Sequence, residues 1–174
     1  MSIRKLVFIS AMLAGGAVHA ETATVTMNAI DASGVGKGIG ALTLSDTPQG
    51  LRIEAALTGL PAGQHGFHVH EKPDCGAGPG TGGQSEAGLA AGGHYDPTKT
   101  GKHLGPQGAG HKGDLPPLTV ETDGSAKTAL TAPHLKVADV KGRSFMIHAG
   151  GDNFADQPQP LGGGGARIAC GVVK

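Results

Sequence analysis

The sequence predicts an all-β domain, a sandwich or barrel, on three observations. Short runs of alternating apolar or β-branched and small polar residues recur along the chain. No segment of useful length has the apolar spacing of an amphipathic helix. The 174 residues include 32 glycines and 11 prolines, far more punctuation than long elements would tolerate.

Taken in order, residues 22–30 (TATVTMNAI) alternate clearly, and residues 40–45, 51–57 and 67–70 follow in the same style. Further strands are predicted over 118–121, 126–130, 143–148 and 167–173, about eight in all. Asp123-Gly124, between two of them, is a hairpin signal. Residues 71–117 break the pattern: they hold almost no apolar periodicity and are filled with Gly, Pro, His and Lys. So long a loop in a compact domain is functional or disordered. Because this one carries a cysteine and several metal-type ligands, we expect metal and disulfide to order it.

Residues 1–20 read as a secretory signal peptide: Arg4 and Lys5, an apolar stretch over 6–17, then Val18-His19-Ala20 with small residues where a signal peptidase reads. No later stretch approaches the roughly 20 apolar residues of a transmembrane helix. The mature domain is therefore expected to span 21–174, to be soluble and to have no membrane partner. Loss of the signal removes two of 14 basic residues and none of 14 acidic ones, leaving 12 against 14. Such a balance argues against a nucleic-acid partner. Cys75 and Cys170, both in the exported part, read most simply as one disulfide, with a cysteine-containing metal site as the competing reading. In the chain-entropy model, closing a loop of ~100 residues is worth roughly 4.7 kcal/mol, an upper figure.

The histidines carry the chemistry. His68 and His70 lie two apart on a predicted strand, so both leave one face about 6.5 Å apart. His-x-His alone is weak, but His148 ends a second strand pattern and can approach from a neighbour; three imidazoles suit Cu(II), Zn or Fe(II). His94, His103, His111 and Asp114, all in the long loop, would close a tetrahedral structural zinc site. Six histidines and one aspartate give seven donors, whereas two four-coordinate ions need eight. Either one imidazole binds through both nitrogens, or one site keeps an open position. His65 stands at an odd interval from His68 and faces the other side of an ideal strand, which suits structural hydrogen bonding. His134 reads as a solvated loop residue, and His19 leaves with the signal.

Several motifs together resemble copper/zinc superoxide dismutase: Gly66-Phe67-His68-Val69-His70, Gly92-Gly93-His94-Tyr95-Asp96-Pro97, Gly110-His111-Lys112-Gly113-Asp114-Leu115-Pro116, and the run from Gly164 to Val172. Lys102-His103-Leu104-Gly105-Pro106 and Gly150-Gly151-Asp152-Asn153 further resemble its exported bacterial, periplasmic branch. The resemblance implies a Greek-key β-sandwich or flattened barrel with long metal-binding loops, and one copper and one zinc ion per subunit. It implies copper on His68, His70, His94 and His148, and zinc on His94, His103, His111 and Asp114, with His94 shared. It also implies a Cys75 to Cys170 disulfide, Arg167 beside copper to receive the anion, and Asp152 linking a copper histidine to a zinc histidine.

The implied activity is disproportionation of superoxide to dioxygen and hydrogen peroxide by alternating Cu(II)/Cu(I) reduction and oxidation. In that scheme zinc is structural and His94 carries a proton. The alternative is a non-catalytic periplasmic copper/zinc binding or delivery protein on the same fold. A zinc hydrolase would need an open zinc position, which the closed four-ligand set argues against. Exported bacterial members differ in assembly, so the resemblance leaves a homodimer possible without fixing it. One departure bears on substrate attraction: such relatives often carry lysines after the first cysteine, whereas residues 76–93 contain Glu86 and no basic residue. Lys72, Lys112 and Lys136 are the candidates to compensate.

Overall fold

A computed structural model describes residues 20–174. The signal-peptide reading, Ala20 apart, and His19 fall outside the described residues. Alternation along the chain builds a seven-stranded antiparallel sheet from β1 (Thr22–Asp31), β2 (Gly34–Thr47), β3 (Gly50–Leu57), β5 (Phe67–His70), β9 (Ala126–Ala132), β10 (Ser144–His148) and β11 (Arg167–Val172). Its order is β5-β10-β11-β1-β2-β3-β9. A second, two-stranded ladder pairs β4 (Gly63–His65) with β8 (Leu118–Val120), and a third pairs β6 (Gly78–Pro79) with β7 (Ser85–Glu86).

Connectivity makes this a Greek key. After the β1-β2-β3 meander the chain crosses through β4 to β5 at the far edge, returns through β8 to place β9 beside β3, and crosses again so that β10 and β11 fill the space between β5 and β1. Twisted antiparallel sheets of this width curl and pack on themselves, which removes apolar faces from water.

Period-two burial fixes the register. In β3, Leu51, Ile53, Ala55 and Leu57 are buried while Arg52, Glu54 and Ala56 are exposed. Val25, Leu42, Leu44, Phe67, Val69, Phe145 and Ile147 join them in one cluster, where the Phe67 and Phe145 rings lie 5.6 Å apart and tilted. A smaller apolar cluster of Ile30, Cys75, Ala91, Met146 and Cys170 sits apart from it.

The sequence reading missed the first half of β2, the short strands β4, β6 and β7, and a helix. Strand β2 begins at Gly34, not near residue 40, because its first half (GVGKG) is glycine-rich and mostly exposed and shows no alternation. A one-turn helix, α1 (Val137–Val140), is too short to display a helical period.

The long loop is cross-linked rather than packed. Cys75 joins Cys170 of β11 with Cα atoms 5.7 Å apart, and the bond spans 95 residues. By the chain-entropy argument, replacing both cysteines with serine is expected to cost about 2–5 kcal/mol. Urea unfolding of the oxidised protein and the double variant measures the difference as a lowered midpoint.

Candidate metal centre

Strand β5 is buried on both faces. Phe67 and Val69 enter the core, so alternation turns His68 and His70 to the opposite face, where both are fully buried. The long loop covers that face by extending the sheet edge irregularly. Val69 N–H donates to Gly113 O, Tyr95 N–H to Val69 O and Gly113 N–H to Tyr95 O, each at 2.8 Å. Bridges His68 to Asp114 and His70 to His94 follow from that register. Gly113 is required there, because a Cβ would lie 2.3 Å from Val69 O. His148, at the end of the adjacent β10, completes the group, and a bulge in the β10–β11 ladder sets it opposite Arg167.

The residues expected at copper converge. His68, His70, His94 and His148 each offer a nitrogen within 4.8 Å of the other three. On the far side of His94, His103 Nδ1 lies 3.0 Å from Asp114 Oδ2, His94 Nδ1 3.1 Å from Asp114 Oδ1, and His111 Nδ1 3.4 Å from the same oxygen. A group mutually within 4.8 Å on this side contains His68, His94, His103 and Asp114 rather than His111. His68 is the weaker member chemically, because its Nε2 is committed to Asp152 and its Nδ1 belongs to the first quartet. His111 Nδ1, by contrast, has no partner.

Each ring is oriented from outside. His68 Nε2–H donates to Asp152 Oδ2 (2.8 Å), His70 Nδ1–H to Gly92 O (3.0 Å) and His148 Nδ1–H to Gly165 O (3.2 Å), while His103 Nε2–H donates to Asp152 Oδ1 (2.7 Å). A nitrogen that donates outward leaves the other with its lone pair inward. Accordingly, among the described residues, seven of the eight buried side-chain atoms without a hydrogen-bond partner are His68 Nδ1, His70 Nε2, His94 Nε2, His103 Nδ1, His111 Nδ1, Asp114 Oδ2 and His148 Nε2. Buried polar atoms are costly when unpaired, so seven aimed at two points are what metal ions would satisfy. The eighth is Asp96 Oδ1, whose companion Oδ2 accepts from Thr100 Oγ1 and the Gly101 N–H.

Electrostatics divides the two halves. Burial, with the neighbouring His94 ring, lowers His68 to about 3 and holds His70 well below its ordinary range; burial likewise lowers His148 to about 4. Those imidazoles are neutral at pH 7, with lone pairs free. On the other side, burial alone would raise the Asp114 and Asp152 carboxyls. The His103 ring close against both carboxylates, with His94 on Asp114 and His68 on Asp152, outweighs it and holds both well below the carboxylate range. Burial also disfavours a charged His103, but Asp114 and Asp152 on either side overcome it and raise that ring to about 9.

Asp152 sits under Gly162, where a Cβ would lie 2.0 Å from its Oδ1 and φ is +72°. Arg167 opens β11 and donates from Nη1 to Gly88 O (2.6 Å) and from Nη2 to Gly92 O (2.8 Å). It lines a cavity of about 630 Å³ together with His94, His148, Leu161 and Glu86. His65 is not a ligand: it is buried and spans the His148 and Pro61 carbonyls at 2.7 and 2.8 Å, the structural role its odd interval predicts. Exposed His134 lies with Lys112 beside a different cleft. Of the candidate lysines, Lys112 pairs with Asp139 (2.7 Å) and Lys136 Nζ donates to Thr47 O. Lys72 alone approaches, facing a depression that shares Leu89 and Arg167 with the cavity. Sequence reasoning missed the carbonyls of Gly88, Gly92 and Gly165, because a main-chain acceptor has no residue-type signature.

Comparison with known proteins places this geometry. Residues 38–173 match the family described as copper/zinc superoxide dismutase (SODC). The chain is 50% identical over 171 residues to a Superoxide dismutase [Cu-Zn] of Escherichia coli K12, covering 97% of both chains. It is 51% identical over 156 residues to one from Brucella abortus, covering 89% of this chain and 90% of that one. Among solved structures, Cu/Zn superoxide dismutase from Brucella abortus superposes with a TM-score of 0.86 at 50% identity, over 88% of this chain and all of that one. Monomeric copper, zinc superoxide dismutase from Salmonella enterica superposes at 0.79 and 51% identity over the same shares. With the matched segment spanning most of the chain and the donor set converging as described, this chain belongs to the copper/zinc superoxide dismutase family.

Proposed function

We propose that this protein disproportionates superoxide, and that the unpartnered inward nitrogens beside an anchored guanidinium carry that reading. One superoxide gives up an electron and leaves as dioxygen; a second takes that electron with two protons and leaves as hydrogen peroxide. Copper would be held by His68 Nδ1, His70 Nε2, His94 Nε2 and His148 Nε2, and zinc by His94 Nδ1, His103 Nδ1, His111 Nδ1 and Asp114. Bound copper supplies the one-electron couple, and bound zinc a fixed charge that tunes His94. Family membership and the donor set support both ions.

The remaining work belongs to the chain. Arg167 has two of its nitrogens anchored on carbonyls, so its remaining N–H groups present a fixed charge to a small oxyanion in the cavity. His94 lines the same cavity, and its Nε2 is placed to hold one proton between the half-reactions and pass it to the departing peroxide. Water in the cavity supplies the second. Asp152 is a positioning residue that locks His68 and His103 relative to each other through one carboxylate. Residues 1–20 act as the export signal in this reading, supported by Arg4 and Lys5 ahead of the apolar run, and the mature enzyme works in the periplasm. A protein that merely stored metal would not need Arg167 held at the cavity.

The deciding measurement compares disproportionation by protein from Glu21 onward, loaded with copper and zinc, against a zinc-only preparation. Fast copper-dependent turnover is expected; activity no higher than free copper would leave the storage reading. Replacing His148 with Ala is expected to reduce turnover by more than about 100-fold with zinc content retained, and Arg167→Ala by about 10- to 100-fold with both metals retained. Asp152→Asn should weaken zinc binding by about 10- to 100-fold, measured by competition with a chelator.

A His103 value near 9 means the ring is protonated through the neutral range in metal-free protein, and zinc must displace that proton. Zinc affinity is therefore expected to rise with pH up to about 9 and to lose this dependence above it. Calorimetry in buffers of different ionisation enthalpy at about pH 7.5 should record about one proton released per zinc from this ring.

A further inference from the structure

Side chains outside the metal centre also grip the long loop, and they gather on one turn of the chain. Helix α1 carries Asp139, and Arg143 follows it just ahead of β10. The Arg143 guanidinium carbon lies 3.6 Å from the centre of the Tyr95 ring. Its Nη1–H donates to Glu71 O (3.0 Å) and its Nε–H to Asp139 O (2.8 Å), so one planar group joins three segments. Asp139 Oδ1 accepts from Lys112 Nζ at 2.7 Å, and Ser144 Oγ–H donates to Lys72 O at 2.9 Å. In sequence, Glu71 follows His70, Tyr95 follows His94 and Lys112 follows His111. The turn between α1 and β10 thus holds the immediate neighbours of three proposed ligands, one at copper, one shared and one at zinc. It is itself tied to the end of β11, where Val173 N–H donates to Arg143 O (2.9 Å) and Gly142 N–H to Val173 O (3.0 Å).

We infer that Arg143 is a positioning residue that holds the long loop in its metal-ready shape before zinc arrives. The inference rests on the proposed zinc ligands and adds a residue beyond them. Ordering a glycine-rich segment costs conformational entropy, and whatever part of that cost falls on zinc binding is subtracted from the affinity. A strut already formed in the metal-free chain removes part of it. Arginine suits the task, because its flat face stacks on an aromatic ring while its edge donates in fixed directions. Its charge alone acts the other way. A cation disfavours a nearby divalent ion, so removing Arg143 would tighten zinc if charge were what mattered. A loss of affinity therefore reports position.

The test uses metal-free protein from Glu21 onward with its disulfide intact, as wild type, Arg143→Gln, Lys112→Gln and Arg52→Gln, the last removing an exposed strand arginine paired with Glu54. Zinc affinity is measured by competition with a chelator, where urea unfolding shows each protein to be folded. Arg143→Gln and Lys112→Gln are expected to weaken zinc about three- to tenfold, less than the roughly 10- to 100-fold of a partner bonded directly to a ligand ring, with Arg52→Gln unchanged. Tyr95 is the one tyrosine and the chain has no tryptophan, so near-ultraviolet circular dichroism, corrected with Tyr95→Phe, follows that ring alone. Wild type is expected to show the tyrosine band before zinc is added and to keep it, whereas Arg143→Gln gains most of it only on zinc binding. Unchanged or tighter zinc binding by Arg143→Gln overturns the inference, as does a wild-type band that appears only with zinc or an equal loss of affinity from Arg52→Gln. If Arg143→Gln does not fold, Lys112→Gln decides by the same affinities. Failure of wild type to bind about one zinc per chain overturns the ligand assignment and the inference with it, a result distinct from tight wild-type binding that the variants share.

Discussion

The segment between β5 and β8 has too little apolar surface to order itself, and that shortage governs the molecule. Burial of side chains cannot offset the conformational entropy of a stretch so rich in glycine. Its shape comes from polar cross-links: main-chain bonds of Tyr95 and Gly113 to Val69, the disulfide to β11, and ligands facing the buried side of β5. Catalytic geometry and loop order thus share the same contacts, and a change to one is felt in the other.

Orientation of the rings follows from the same economy of structure. The outward nitrogens of His68, His70, His103 and His148 are fixed by one carboxylate and two carbonyls, so the lone pairs converge without any help from flexible side chains. Burial keeps the copper-side rings neutral, while paired carboxylates gather charge around His103. His94 stands at the boundary with one nitrogen toward each side, so one residue belongs to both groups of donors.

The sequence makes some of this readable and hides the rest for physical reasons. Alternation exposes β1 and β3, and His68-x-His70 declares its face because strands have period two. The exposed glycines opening β2 have no side chains to alternate, and α1 is shorter than the period that would reveal it. Ligand residues stand out by type, and the roles of Asp152 and Arg167 follow only from motif resemblance, since spacing alone cannot bring them to the metal rings. The carbonyls of Gly88 and Gly92 are invisible by any pattern, because every peptide carries the same acceptor. Glu86 is noticeable in the sequence, but its place on the cavity wall depends on the β6–β7 ladder, which is too short to be read.

The small cluster of Ile30, Cys75, Ala91, Met146 and Cys170 lies apart from the main core. Its Ile30 and Met146 lie against Gly88 and its Ala91 precedes Gly92, so the two acceptors of Arg167 rest on side chains that the barrel strands β1 and β10 supply. Met146 and Cys170 belong to β10 and β11, so the wall that holds the guanidinium is anchored in the same two strands that carry His148 and Arg167.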